Sequence, residues 1–216
     1  MVPPEERYMQ KKILLTLMFA FSFLKILSAQ EELPAAGHYR IIPEKSKIEI
    51  LIGTAGVFGF MGHGHTIVPK AYDGEMELKP KDNVPATLSI RIDATSLQET
   101  ADFKQEDKNT IEKQLHGEVL ETAKYPEITF HSTGIQYSMS PGHVFDTQIS
   151  GDLTLHGVSK KITVPARVVD AGDHLRASGK FKINRKDYNI EPKTAAGGTV
   201  KVDKVMEVSF ELVLQQ

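Results

Sequence analysis

The chain has 216 residues and a mass of 24.0 kDa, enough for one large domain or two small ones. Lys and Arg number 26 against 28 Asp and Glu, a net charge of −2. That balance leaves no basic surplus for phosphate contacts, so nucleic acid is not an expected partner. Cysteine is absent, which removes disulfides, thiolate metal sites and thiol nucleophiles and leaves His, Asp and Glu as the metal-ligand types.

The N-terminus reads as an export leader. Lys11 and Lys12 precede the apolar run Ile13–Leu24, and small residues Ser28 and Ala29 close the segment before Gln30. A basic start, a short apolar stretch and a small-residue cleavage site are the parts of a secretory signal. Twelve residues at about 1.5 Å each cover roughly 18 Å, well short of the ~30 Å hydrocarbon layer. Residues 1–29 are therefore expected to be removed. The mature chain then carries 22 basic against 26 acidic side chains, and its lack of cysteine suits an oxidising periplasm or the exterior. Met9 is an alternative start, because nothing before it is needed by a leader.

The remainder alternates apolar and polar residues. In chain order the apolar faces are Ile48, Ile50 and Ile52; Leu88, Ile90 and Ile92; Ile149, Leu153 and Leu155; Ile162, Val164, Ala166 and Val168; Phe181 and Ile183; and Val208, Phe210, Leu212 and Leu214. Period two predicts strands with one buried face, and one wet face favours antiparallel pairing. Turn signals punctuate the runs at Pro80–Pro85, Ser140-Pro141-Gly142, His156-Gly157, Ala171-Gly172-Asp173 and Gly197-Gly198. One segment departs from this. Residues 105–121 place Ile111, Leu115 and Val119 four apart, which predicts a helix with Glu106, Asp107 and Glu112 towards its start. One-sided strands must either sandwich or close into a barrel, and periodicity does not choose.

Three stretches resemble the YceI-like lipid/polyisoprenoid-binding family. They are Lys124–Thr133 (KYPEITFHST), Gly151–Lys160 (GDLTLHGVSK) and Arg185–Ile190 (RKDYNI), in that order. The likeness runs from about Tyr39 to Leu214, and one domain over 38–216 is expected. It implies an all-β, lipocalin-like, antiparallel eight-stranded barrel with one helical insertion near the barrel mouth. It also implies a binder or carrier rather than an enzyme, with a long-chain isoprenoid, quinone-like or acyl lipid as ligand and no required cofactor. Periplasmic or secreted placement follows from the leader, with transient membrane contact for loading and a homodimer as candidate associations. The chain differs from the family pattern at Pro43, where Asp is common, and at Asn189, where Gly is usual. The segment Gly53–Ile67 is also longer and richer in His.

The inward faces give the candidate ligand-lining set: Ile50, Ile52, Leu88, Ile90, Phe130, Leu153, Leu155, Phe181, Phe210 and Leu212, with Tyr125 offering a hydroxyl to a head group. The same positions would equally build a solid core, making the protein a filled-barrel structural or interaction module. His63-Gly64-His65 is the sharpest chemical feature. Two imidazoles on one side of an extended segment are half of a metal site, with His131 and His156 as the candidates for a third ligand. A solvated Gly-rich loop is the plainer reading, and no metal ligand or catalytic residue is assigned. Tyr125-Pro126 is expected to set the start of a strand, and His156-Gly157 a hairpin turn. Glu75 and Glu77 are expected on a solvated strand face. No nucleophile elbow, phosphate loop or HExxH pair is present.

Overall fold

The computed structural model describes residues 33–55, 64–79, 86–191 and 201–216. The expected leader, the turns at Pro80–Pro85 and Gly197-Gly198, and His63 lie outside the described residues. Within them the alternating runs form eleven strand segments. These are β1 (Gly37–Ile41), β2 (Lys47–Ala55), β3 (His65–Pro69), β4 (Tyr72–Leu78), β5 (Thr87–Asp93) and β6 (Leu97–Glu99). Then follow β7 (Glu127–Ser140), β8 (Val144–Leu155), β9 (Val158–Asp170), β10 (Leu175–Asn184) and β11 (Lys201–Gln215). Every pairing is antiparallel.

The sheet closes. Its order runs β1-β4-β5-β7-β8-β9-β10-β11, and β11 pairs back onto β1. β1 and β2 lie end to end along the same side of β11, and β3–β4 and β5–β6 are likewise halves of single strands. Counted that way, eight strands close an up-and-down barrel, each bonded to its neighbours in sequence. Closure removes exposed edges and resolves the choice that periodicity left open.

The breaks between half-strands have local causes. Pro43 has no N–H and opens a short 3-10 turn, Pro43–Lys45. Ser46 repairs the ladder there: its hydroxyl accepts from Val213 N at 2.9 Å and donates to Ile42 O at 2.7 Å. This turn is where the chain departs from the family's usual Asp. In the next two strands Ser96 Oγ accepts from Lys70 N and Ala71 N, at 3.2 and 2.9 Å. The interruptions thus fall beside one another in three adjacent strands.

The helix is shorter than its apolar stripe suggests. The α-helix α1 spans Gln105–Gln114 and continues as a π-helical turn over Leu115–Val119. Gly117 sits in that turn, where helix propensity is lowest. The wider turn still presents Ile111, Leu115 and Val119 on one side, as expected. The hairpin turns also follow expectation. His156 and Gly157 both have positive φ, 51° and 72°, the signature of a two-residue type I′ loop. Asn189 takes the left-handed position at φ 56°, which Asn tolerates where Gly is usual.

Candidate functional site

The barrel axis holds space. At one end a cavity of about 520 Å³ is lined by apolar side chains from all around the ring, among them Leu88, Phe130, Phe145, Val164, Phe210 and Leu212. A second cavity of about 240 Å³ lies at the end covered by α1, lined by Ile50, Ile52, Leu155, Ile183 and Met206 together with Ile111, Leu115 and Val119. The two share Ile48, Ile92, Leu153, Phe181 and Val208. Ile50, Ile52, Leu88, Ile90, Phe181 and Phe210 face inward yet remain only half-buried. Their free surface borders the cavities rather than an opposing side chain.

Glycines on the inner wall make that arrangement fit. A Cβ at Gly179 would lie 2.7 Å from Phe210 Cζ and would overlap the Pro165 carbonyl. At Gly151 it would lie 2.5 Å from Phe130 Cζ and 2.5 Å from His131 O. These rings therefore lie against strands where no side chain stands, flat along the wall instead of across the bore. Gly179 is the direct cross-strand partner of Phe210, an aromatic-over-glycine pairing that also tightens the sheet. The wide end is rimmed by Leu33, Pro34, Leu78, Lys79, Ala86 and Tyr137. Leu33 and Tyr137 stay exposed there, at 37% and 54%, and Lys79 Nζ pairs with Glu77 at 2.7 Å.

Ten of the eleven sequence-derived lining residues border the cavities. Leu88, Ile90, Phe130, Leu153, Phe181, Phe210 and Leu212 line the wide one. Ile50, Ile52 and Leu155, again with Leu153 and Phe181, line the narrow one. Tyr125 does neither. Its ring packs edge-on against His156, centroids 4.6 Å apart, and over Gly157, whose Cβ would meet Cε1 at 2.5 Å. It staples the β8–β9 hairpin from outside. The sequence reading missed Met76, Phe145 and Ala177, although Tyr72, Gly74, Met76 and Leu78 carry the same alternation.

The imidazoles do not converge. His65 Nδ1 donates to Glu99 Oε2 at 2.8 Å. His131 meets Ser89 on the outer face. His156 Nδ1 donates to the Tyr188 carbonyl at 3.1 Å, while its Nε2 lies 3.0 Å from Glu121 Oε2. Among the described residues no three His, Asp or Glu side chains gather as a metal-ligand set. Glu75 and Glu77 are exposed, paired with His38 and Lys79.

Two polar features at the α1 end escaped sequence reading. Glu99 is 3% exposed, and besides His65 it accepts from the backbone N–H groups of Thr66 and Ala101, at 3.0 and 2.8 Å. Glu112 of α1 in turn accepts from Glu99 N at 3.0 Å, fastening the helix to the rim. Arg185 is the other, 7% exposed. Its guanidinium donates to Ile190 O at 2.7 Å, Asp203 O at 3.1 Å and Glu191 Oε2 at 2.9 Å. Hydrogen bonds from Arg185, then Lys186, hold the Glu191 carboxyl below its ordinary range. Burial pushes the Tyr188 phenol up, so this core ring stays neutral.

These features account for the three motif stretches. Phe130 lies on the inner wall, and Ser132 Oγ accepts from Leu88 N at 2.7 Å beside a bulge at Ser132–Gly134. Leu153, Leu155 and the His156-Gly157 turn form the second stretch, and the Arg185 clamp forms the third. The YceI-like domain matches residues 39–214. The chain belongs to the YceI-like family. Protein YceI of Escherichia coli O17:K52:H18 is 32% identical over 151 residues, which cover 64% of this chain and 70% of that one. The fold of this YceI-like chain is similar to that of Burkholderia cenocepacia BcnA, with a TM-score of 0.62 and 20% identity over 80% of this chain and 98% of that one. It is also similar to a polyisoprenoid binding domain from Saccharophagus degradans implicated in plant cell wall breakdown. There the TM-score is 0.62 and the identity 15%, over 82% and 97% of the two chains.

Proposed function

We propose that this YceI-like protein is an exported, non-enzymatic binder or carrier of a long-chain lipid, polyisoprenoid or quinone-like, held along the barrel axis. The carrying observation is the wide cavity of about 520 Å³ with its apolar wall, a size ordinary for a ligand site. The binding named for the Saccharophagus degradans domain supports the same ligand class. A filled-barrel module would instead have its inner side chains interlocked. A metal site built on His63 and His65 has less support, since His65 is committed to Glu99.

The energetics suit carriage. A chain of about forty carbons would gain on the order of 30 kcal/mol on leaving water, at roughly 0.8 kcal/mol per methylene, beyond the saturating limit of non-covalent affinity. Its real alternative is the bilayer, which is equally apolar. Transfer to the barrel is then near neutral, and loading and release are both feasible. Exposed Leu33 and Tyr137 at the wide mouth support transient membrane contact there. Cleavage of residues 1–29, periplasmic or secreted placement and a homodimer belong to the same proposal. The test is mass spectrometry of an organic extract of protein purified from its native envelope. A stoichiometric prenyl or acyl lipid is expected. Protein that carries none, and takes up none from lipid vesicles, overturns the reading.

A further inference from the structure

The division of the bore into two chambers has its own chemistry. Five residues border both: Ile48 on β2, Ile92 on β5, Leu153 on β8, Phe181 on β10 and Val208 on β11. They stand on five strands around the bore, and Phe181 and Val208 are direct cross-strand partners. Phe181 is the largest of them. No inner-wall glycine is paired opposite it, unlike Phe210 with Gly179.

The two chambers also differ in what they offer. Around the narrow one, His65 is engaged with Glu99, and Arg185 with two carbonyls and Glu191. Most of what remains is hydrocarbon, with Ile111, Leu115 and Val119 on one side and Gln114 and Glu118 of the same helical segment at the edge. The wide end has an exposed tyrosine and a lysine at its rim. A polar head is placed at the wide mouth, beside Tyr137 and Lys79, and the largely apolar far chamber takes the tail.

We propose that this five-residue collar is a chain-length discriminator, with Phe181 its determining residue; the proposal rests on the lipid-carrier reading. A short prenyl or acyl chain fills the wide chamber alone. A long chain, entering tail first, threads past Phe181 and buries its end beneath α1. Against water each methylene that passes the collar adds up to about fourfold in affinity. Against an equally apolar micelle the gain per methylene is far smaller, and the far chamber rewards length through the wall contacts it adds.

The test compares farnesol with solanesol, a short and a long all-trans prenol, delivered from the same detergent micelles and measured by displacement of cis-parinaric acid. Wild type is expected to bind solanesol about threefold or more tighter than farnesol. Phe181→Trp narrows the collar and Ile52→Phe fills the far chamber. Each should bring the ratio of affinities near one, chiefly by weakening solanesol. Ala177→Val, in the wide chamber, should weaken both ligands alike. Circular dichroism and thermal melts establish that each variant folds. A wild type without length preference overturns the collar, as does an unchanged preference in folded Phe181→Trp and Ile52→Phe proteins. A wild type that binds neither prenol refutes the carrier reading itself.

Discussion

Gly179→Ala is a small change with a large consequence for the bore. Its backbone has no positive φ, so alanine fits the local conformation, and the stiffer unfolded chain favours folding by about 0.4–1 kcal/mol. Against this, the new Cβ would stand 2.7 and 3.0 Å from Phe210 Cζ and Cε1 and would overlap the Pro165 carbonyl. Overpacking of this kind costs about 1–3 kcal/mol. The net expectation is a loss of about 1–2 kcal/mol, or roughly 2–8 °C in Tm for a domain of this size. The ring has one free direction, into the cavity, so prenol affinity should fall by about tenfold. The Gly179→Ala/Phe210→Ala double variant should recover binding but not stability, because truncating Phe210 removes core packing and the contact with Pro165 persists. Differential scanning fluorimetry and prenol titration give the two readouts. A Gly179→Ala protein with wild-type Tm and affinity would refute the idea that glycine gaps hold the rings against the wall.

Arg185→Met should lower stability by about 3 kcal/mol, because the buried Ile190 carbonyl and the part-buried Asp203 carbonyl lose charged hydrogen bonds while the exposed Glu191 counts little. A Tm drop of roughly 6–12 °C is expected, and one under 2 °C contradicts the clamp. Glu191 gives a pH test. Its folded carboxyl titrates below its unfolded value of about 4.3, so its contribution is present above that pH and is lost as pH falls through the lower folded value. The Tm difference between wild type and Glu191→Gln should be constant near neutrality and shrink on acidification; a difference independent of pH argues against it. Gly157→Ala should cost more than Gly142→Ala, measured by chemical denaturation. Both sites have positive φ, but only Gly157 lies against a ring, that of Tyr125. Equal costs would remove Tyr125 from the hairpin's support.

Period-two alternation made the strands legible because each inner wall position needs an apolar side chain whether the barrel is full or hollow. That same indifference hid the hollow. What opens it is Gly151 and Gly179, which in sequence look like ordinary strand glycines and show their role only beside Phe130 and Phe210. The half-strand breaks were obscured for a similar reason. Ser46 and Ser96 replace ladder bonds with side-chain bonds from partners far away in sequence, and such distant pairings leave no local pattern. Tyr125 was misplaced because Tyr-Pro fixes the backbone direction but not the side its ring takes. Glu99 gave no warning either: an acidic residue after Leu97-Gln98 reads as solvated until His65, Thr66 and Ala101 surround it.

The seam of the ring joins Arg40 to Gln215 and Ile41 to Leu214, residues from opposite extremes of the domain. Bringing them together fixes the longest loop in the fold, the step with the greatest chain-entropy cost. Until β11 docks, the wall is an open curved sheet whose two free borders are β10 and the β1–β2 strand. Assembly of this domain should therefore be slow, and trimming residues from β11 should do more harm than its few side chains suggest, since it leaves a sheet in place of a tube.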